Sequence, residues 1–160
     1  TPIRLRLLRD YVGNGGGLLM FGGYYSFQGI NGGARYHKTP VEDVLPVTCL
    51  PVDDRVEVPE GYAPVVVGPQ SHPILKGLGK DWPILLGFNE VMVKEGAEVL
   101  ATVSSDYHSM PLLVTGKYGK GRTVAWTSDV GPHWLPPGFI AWNGYKTLFE
   151  QMLGWATARD

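Results

Sequence analysis

Four large apolar residues, Leu18-Leu19-Met20-Phe21, stand between two glycine clusters, Gly15-Gly16-Gly17 and Gly22-Gly23. A run that short, unbroken and punctuated at both ends, reads as a strand buried on both faces, the kind found in parallel sheets covered by helices. Ligands of such sheets gather at the carboxyl ends of the strands. Here that end is Gly22-Gly23, where the chain can turn sharply and deliver Tyr24, Tyr25, Ser26 and Phe27 to the mouth of the sheet. A functional pocket is expected there. Upstream, residues 2–13 set Ile3, Leu7, Leu8, Tyr11 and Val12 at helical spacing, with Arg4, Arg6, Arg9 and Asp10 opposite and Asn14-Gly15 as the stop. A helix leading into a doubly buried strand is the second half of a crossover unit. The chain therefore reads as one domain, 1–160, forming the C-terminal part of something longer with its N-terminal strands missing. Alone it is expected to self-associate or pack poorly, since the helix face Ile3, Leu7, Leu8 and Tyr11 and the edges of the strand need cover.

Further along, residues 28–38 form a loop rich in glycine, aromatics and basic residues. Thr39-Pro40-Val41-Glu42 has the form of a capping box opening a short helix that ends at Leu45-Pro46. Val47–Leu50 predicts a strand with Cys49 packed inside it. Short strands at Arg55–Val58 and Ala63–Val67 flank the turn Pro59-Glu60-Gly61, and His72-Pro73 starts a helical turn. Strands follow at Asn89–Val93, Glu98–Thr102, Leu112–Thr115 and Thr123–Thr127, the last two joined as a hairpin by the glycine-rich turn 116–121. A final helix from about Asn143 carries Tyr145, Leu148, Phe149, Met152 and Trp155 on one face.

Composition narrows the function classes. The 44% hydrophobic and 18% charged content is that of a globular chain, and a formal net charge of −1 offers no attraction for nucleic acid or an anionic membrane. No apolar run approaches the roughly 20 residues that span a bilayer. The single cysteine, Cys49, excludes an internal disulfide and a cysteine-based zinc site, and makes a reducing cytoplasm the default compartment. Neither glycine cluster is a nucleotide motif. Gly15–Gly17 follows a helix and opens a strand, the reverse of a dinucleotide fingerprint, and 116–121 lacks the hydroxyl residue of a phosphate loop. His37, His72 and His108 are scattered without ligand spacing, so neither a metal nor another cofactor is expected.

A second cluster lies after the strand at 123–127, on the proline-braced loop Ser128-Asp129-Val130-Gly131-Pro132-His133-Trp134. With Ser26, the residues Asp129 and His133 would supply the types of a Ser-His-Asp triad. The alternative is that Asp129 caps the backbone amides of the loop and His133 is simply packed. Ser26 lacks the glycine two positions on that a nucleophile elbow uses; Gln28 stands there. Asp53-Asp54-Arg55 could bind a cation, or form a solvated turn.

Gly15–Phe27, Thr39–Val47, Val52–Glu57 and Thr127–Trp134 together resemble a family of bacterial proteins, the putative glutamine amidotransferases. The resemblance covers nearly the whole chain. It implies an α/β, flavodoxin-like (class I glutamine amidotransferase-like) three-layer sandwich, with Leu18–Gly23 as the strand that ends in the nucleophile elbow. It also implies that strands before Thr1 are missing. True amidotransferases carry a cysteine in a Gly-x-Cys-x-Gly turn. Laid on Gly22-Gly23-Tyr24-Tyr25-Ser26, that position is Tyr24, a far weaker nucleophile, with a pKa of about 10 against about 8.5 for cysteine. His133 falls near the family histidine, without the Pro-Glu that follows it. The expectation is a non-glutaminase domain that binds a small polar ligand or carbohydrate, or serves as a scaffold and forms a homo-oligomer. Its ligand residues would be Gly23, Tyr24, Tyr25 and Trp134. The alternative is a hydrolase using Ser26, or a water activated by His133, with Asp129 in support.

Overall fold

A computed structural model of the protein describes residues 2–104 and 109–158. The chain runs α1 (Pro2–Gly13), β1 (Gly17–Phe21), α2 (Pro40–Val44), β2 (Val47–Cys49), β3 (Arg55–Tyr62), β4 (Pro64–Val66), β5 (Leu85–Asn89) and β6 (Val91–Val93). It continues through β7 (Glu98–Ser104), β8 (Ser109–Tyr118), β9 (Gly121–Trp126), α3 (Pro137–Ile140) and α4 (Gly144–Thr157). The main sheet has the order β1-β9-β8-β7-β4, and two-stranded sheets β2-β6 and β3-β5 stand apart from it. Only β1 and β9 pair in parallel; the other pairs of the main sheet are antiparallel. The hairpin expected at 116–121 forms, with Tyr118 opposite Gly121.

Alternation along the strands divides the interior in two. Leu19, Phe21, Val124 and Trp126 face a large core that includes Leu148, Met152 and Ala156 of α4. Leu18, Met20, Val114 and Ala125 face a smaller core with Leu5 and Leu8 of α1, Val41 of α2 and Cys49. Helices thus lie on both faces of the sheet. The face predicted for α4 is correct: all five of its apolar residues join the larger core.

The face predicted for α1 is met only at Leu8 and Val12. Leu5, Leu8 and Val12 turn inward, while Ile3, Leu7 and Tyr11 are 63%, 63% and 57% exposed. Among the described residues β1 pairs with β9 alone and is half-buried throughout.

Other differences are local. Pro59-Glu60-Gly61 does not separate two strands. It is an irregularity within β3, whose pairing to β5 shifts register between Glu57 and Tyr62. β5 begins at Leu85, ahead of the strand expected from Asn89. α3 was not anticipated. Thr39 makes no cap; its hydroxyl donates to the Tyr36 carbonyl, and the Glu42 carboxylate accepts instead from the backbone of Lys38 and Cys49. His108 lies outside the described residues.

Candidate functional site

The elbow after β1 is built around glycine. The Gly22 amide donates to the carbonyls of Trp126 and Ser128, both at 2.8 Å. A Cβ on Gly22 would stand 2.0 Å from the Thr127 carbonyl oxygen, so no larger residue fits. Gly23 then takes φ 138°, a value that favours glycine.

Beneath the turn, Asn89 is fully buried at the end of β5. Its Oδ1 accepts from the Gly23 amide at 2.8 Å and its Nδ2 donates to the Gly23 carbonyl at 3.2 Å. The same Nδ2 donates to Asp54 Oδ1 at 2.7 Å. Asp54, 1% exposed, also accepts from the amides of Gln28 (2.7 Å) and Gly29 (2.9 Å). Burial pushes its carboxyl pKa up, against the pull of these donors. Asp54 is therefore not part of a solvated turn, while Asp53 is exposed. Asp54 anchors the loop 23–29 from within, and Asp53 holds Arg55 through two contacts at 3.0 and 2.8 Å. That guanidinium, with the Asn31 amide, keeps the Asp53 carboxyl well below the ordinary carboxylate range.

So held, Tyr24 reaches across to β3. Its hydroxyl donates to Glu57 Oε1 at 2.7 Å, and the indole Nε1–H of Trp134 donates to the same oxygen at 3.0 Å. These bonds lower the Glu57 pKa, and the bond to Glu57 raises that of Tyr24. Arg55 lies over the Tyr24 ring at 4.7 Å, a cation–π distance. His133 meets Tyr24 edge-on, with centroids 4.6 Å apart, and stacks on Trp134 at 5.7 Å.

The loop after β9 is set by Asp129, whose carboxylate accepts from the amides of Trp134 (3.0 Å) and Leu135 (3.1 Å). This is the capping role given above as the alternative to a triad. Trp134 itself packs so closely on Gly87 that a Cβ there would lie 2.5 Å from its Nε1. His133 has φ 138°, a strained value for a residue with a side chain. Its ring stands between two carboxylates, Nδ1 3.6 Å from Asp129 and Nε2 3.7 Å from Glu57, both just beyond hydrogen-bond length.

Of the residues singled out in the sequence, Tyr24, Asp129, His133 and Trp134 come together, and Gly23 forms the turn beneath them. Tyr25 projects into solvent, 76% exposed. Ser26 does not join His133: no hydrogen bond of its hydroxyl appears among the described residues. Instead it lines an apolar groove of about 390 Å3 along β1, with Leu5, Leu8, Met20 and Tyr36. The expected Ser-His-Asp grouping is therefore not assembled. Sequence reading missed Glu57, Asn89 and Gly87 as site residues. Glu57 had stood out only as the end of a family pattern, and nothing near Asn89 or Gly87 in sequence hints at their neighbours. Cys49 is fully buried in β2, and burial together with the nearby Glu42 raises its thiol pKa.

Comparison with known proteins follows the same lines. A family model described as putative glutamine amidotransferase matches residues 1–158. No curated protein matches the sequence. Among solved structures, a cytoplasmic protein from Salmonella typhimurium is 42% identical over 98% of this chain, with a TM-score of 0.90. A second, from Salmonella typhimurium LT2, is 43% identical over 97%, also at 0.90. The chain spans 61% of the length of each of these relatives. A ThuA-like protein from Parabacteroides merdae, 16% identical over 96% of this chain and 64% of its own, shares the fold with a TM-score of 0.66. No described helix is long and apolar enough to cross a membrane.

Proposed function

The chain belongs to the putative glutamine amidotransferase family, and from that premise we propose that it is a non-glutaminase member whose elbow cluster binds a small polar ligand. One observation carries this reading. The hydroxyl of Tyr24, the residue on which the resemblance lays the nucleophile position, is committed as a donor to Glu57. Amidotransfer from glutamine needs a thiolate at that turn to attack the amide carbon. Cys49 cannot substitute, being buried on another strand with its thiol held protonated. Helices on both faces of a sheet that opens with a parallel pair support the flavodoxin-like, three-layer assignment.

What the cluster offers instead is a recognition surface. Both Tyr24 and Trp134 converge on Glu57 Oε1, while Oε2 lies 4.0 Å from Arg55 Nη1 and accepts no hydrogen bond among the described residues, and the Glu57 and His133 side chains are 43% and 47% exposed. Asp53 neutralises Arg55, so the balance of charge around Tyr24 is negative. Such a surface suits hydroxyl or amine donors, carbohydrate among them, and disfavours carboxylates such as that of glutamine. The test is a thermal-shift and tryptophan-fluorescence screen of sugars, polyols, amines and amino acids, run beside an ammonia-release assay with glutamine. The reading expects saturable binding of a hydroxyl- or amine-bearing ligand, lost in Glu57→Ala, and no ammonia. Ammonia release abolished by Tyr24→Phe would overturn it.

The placement of His133 between two carboxylates favours one second reading, a hydrolase in which His133 activates a water with Glu57 beside it. Ester or glycoside turnover lost in both His133→Ala and Glu57→Gln would support that reading over the first.

A further inference from the structure

A proton on His133 would change which groups of the elbow cluster are bonded. Its Nδ1 lies 3.6 Å from Asp129 Oδ2 and its Nε2 lies 3.7 Å from Glu57 Oε1. Each ring nitrogen thus faces a carboxylate from just outside bonding distance. A neutral imidazole carries one N–H and one lone pair. In either tautomer one nitrogen turns its lone pair on a negative oxygen and is pushed away. The imidazolium alone has an N–H for both, and charged N–H···O bonds close to about 2.7–2.9 Å. The two carboxylates belong to different parts of the fold, Asp129 to the loop after β9 and Glu57 to β3. Asp129 is fixed by the amides of Trp134 and Leu135, and the His133 backbone is already strained at φ 138°. Glu57 is freer to move, since it stands where the β3–β5 pairing shifts register and its side chain is 43% exposed. Tyr24 and Trp134 fill both lone pairs of its Oε1. A further donor is therefore taken by Oε2, the acceptor open to a ligand.

We propose that His133 is a proton-operated latch, which on gaining a proton bridges Asp129 and Glu57 and closes the elbow site. The titratable and charged groups around the ring are Tyr24 from the elbow, Glu57 and Arg55 from β3, and Asp129 from its own loop. Imidazole is the side chain that changes charge between about pH 5 and 8. Glu57 stays ionised through that range, because the bonds from Trp134 and Tyr24 hold its carboxyl low. Tyr24 stays neutral, because its bond to Glu57 holds its hydroxyl high. Arg55 keeps its charge and its partner Asp53. Protonation of His133 therefore sets a new positive charge beside Glu57 and occupies its open oxygen. Both changes oppose a ligand that brings hydroxyl or ammonium donors, so the site should release such a ligand on acidification. That consequence rests on the polar-ligand reading above; the latch itself does not.

Nuclear magnetic resonance of the 160-residue chain from about pH 5 to 8 reads the latch without any ligand. The Trp134 indole N–H donates to Glu57 and its ring stacks on His133. Its signal should move with the same midpoint as the His133 ring protons. Amides of the loop 128–135, corrected for the intrinsic pH dependence of exchange, should exchange several-fold more slowly on the acid side. In His133→Gln both changes should vanish with the rest of the folded spectrum kept, and Glu57→Gln should lose most of the acid-side protection. Binding is read separately with ethanolamine, whose ammonium stays charged over this range. Its affinity should be at least about 5-fold weaker on the acid side, and independent of pH in His133→Gln. An indole signal that stays still while His133 titrates would overturn the latch, as would loop protection equal at both ends of the range. Ethanolamine bound equally well at both ends would overturn its closure of the site. A latch seen in the spectra with no binding of ethanolamine would support the latch and count against the polar-ligand reading.

Discussion

Replacing Asn89 by alanine tests the idea that the elbow is held from below. The side chain is fully buried and makes three hydrogen bonds, two to Gly23 and one to the Asp54 carboxylate. Two neutral bonds contribute about 1 kcal/mol each, and a bond to a buried carboxylate about 1.5–3 kcal/mol. Water can reach the half-buried Gly23 but not Asp54, which keeps only the Gln28 and Gly29 amides. A loss of about 3–5 kcal/mol follows, a large part of the roughly 5–15 kcal/mol that stabilises a domain. The melting temperature should fall by on the order of 10 °C.

The pH dependence is the sharper readout. Asp54 already has a raised pKa in the folded state, so its ionisation costs stability as pH rises through that value. Removing the Asn89 donor raises the pKa further. The deficit of Asn89→Ala should therefore be largest at neutral pH and shrink on acidification. Asn89→Asp would set a second carboxylate against Asp54, and should be worse at pH 7 and recover more on acidification. Urea unfolding of the three proteins from about pH 4 to 8, near and above the ordinary carboxylate range, decides. An Asn89→Ala protein within about 0.5 kcal/mol of the parent, the range of ordinary surface changes, would refute the anchoring argument.

Three further outcomes are expected. Glu57 has a lowered pKa when folded, so its charge contributes stability above the unfolded value and loses it as pH falls through the folded value. Glu57→Gln should accordingly be less stable than the parent at pH 7, with the gap closing below about pH 4 in equilibrium unfolding; a gap that widens there would contradict the assignment. Gly87→Ala should displace the Trp134 indole, since its Cβ would sit 2.5 Å from Nε1. That should shift the tryptophan emission and break the bond to Glu57, at a cost of about 1–3 kcal/mol. Cys49 should be inert to a thiol reagent in the native protein and fully reactive after unfolding, and rapid native labelling would show that β2 opens readily.

The sequence by itself determined the elements whose signals are local. A short apolar run between glycines made β1, apolar spacing made α1 and α4, and a glycine-rich turn made the β8–β9 hairpin. It also determined that a glycine turn follows β1 and delivers Tyr24 from it, because that depends only on the local run of residues. Tertiary structure decided everything that depends on what lies across from a residue. Which stripe of α1 turns inward was set by the packing of Leu5 and Leu8 with Leu18, Met20 and Val41, which periodicity alone cannot show. Ser26 and His133, plausible partners by type, separated because the elbow sends Ser26 to the β1 groove and Tyr24 to Glu57. Asp54 and Asn89 meet across 35 positions of sequence, and Glu57 and Trp134 across 77. Side chains that far apart are coupled only when strands from distant segments bring them to one end of the fold. A hydrogen bond of about 3 Å depends on that meeting and leaves no periodic trace in the chain.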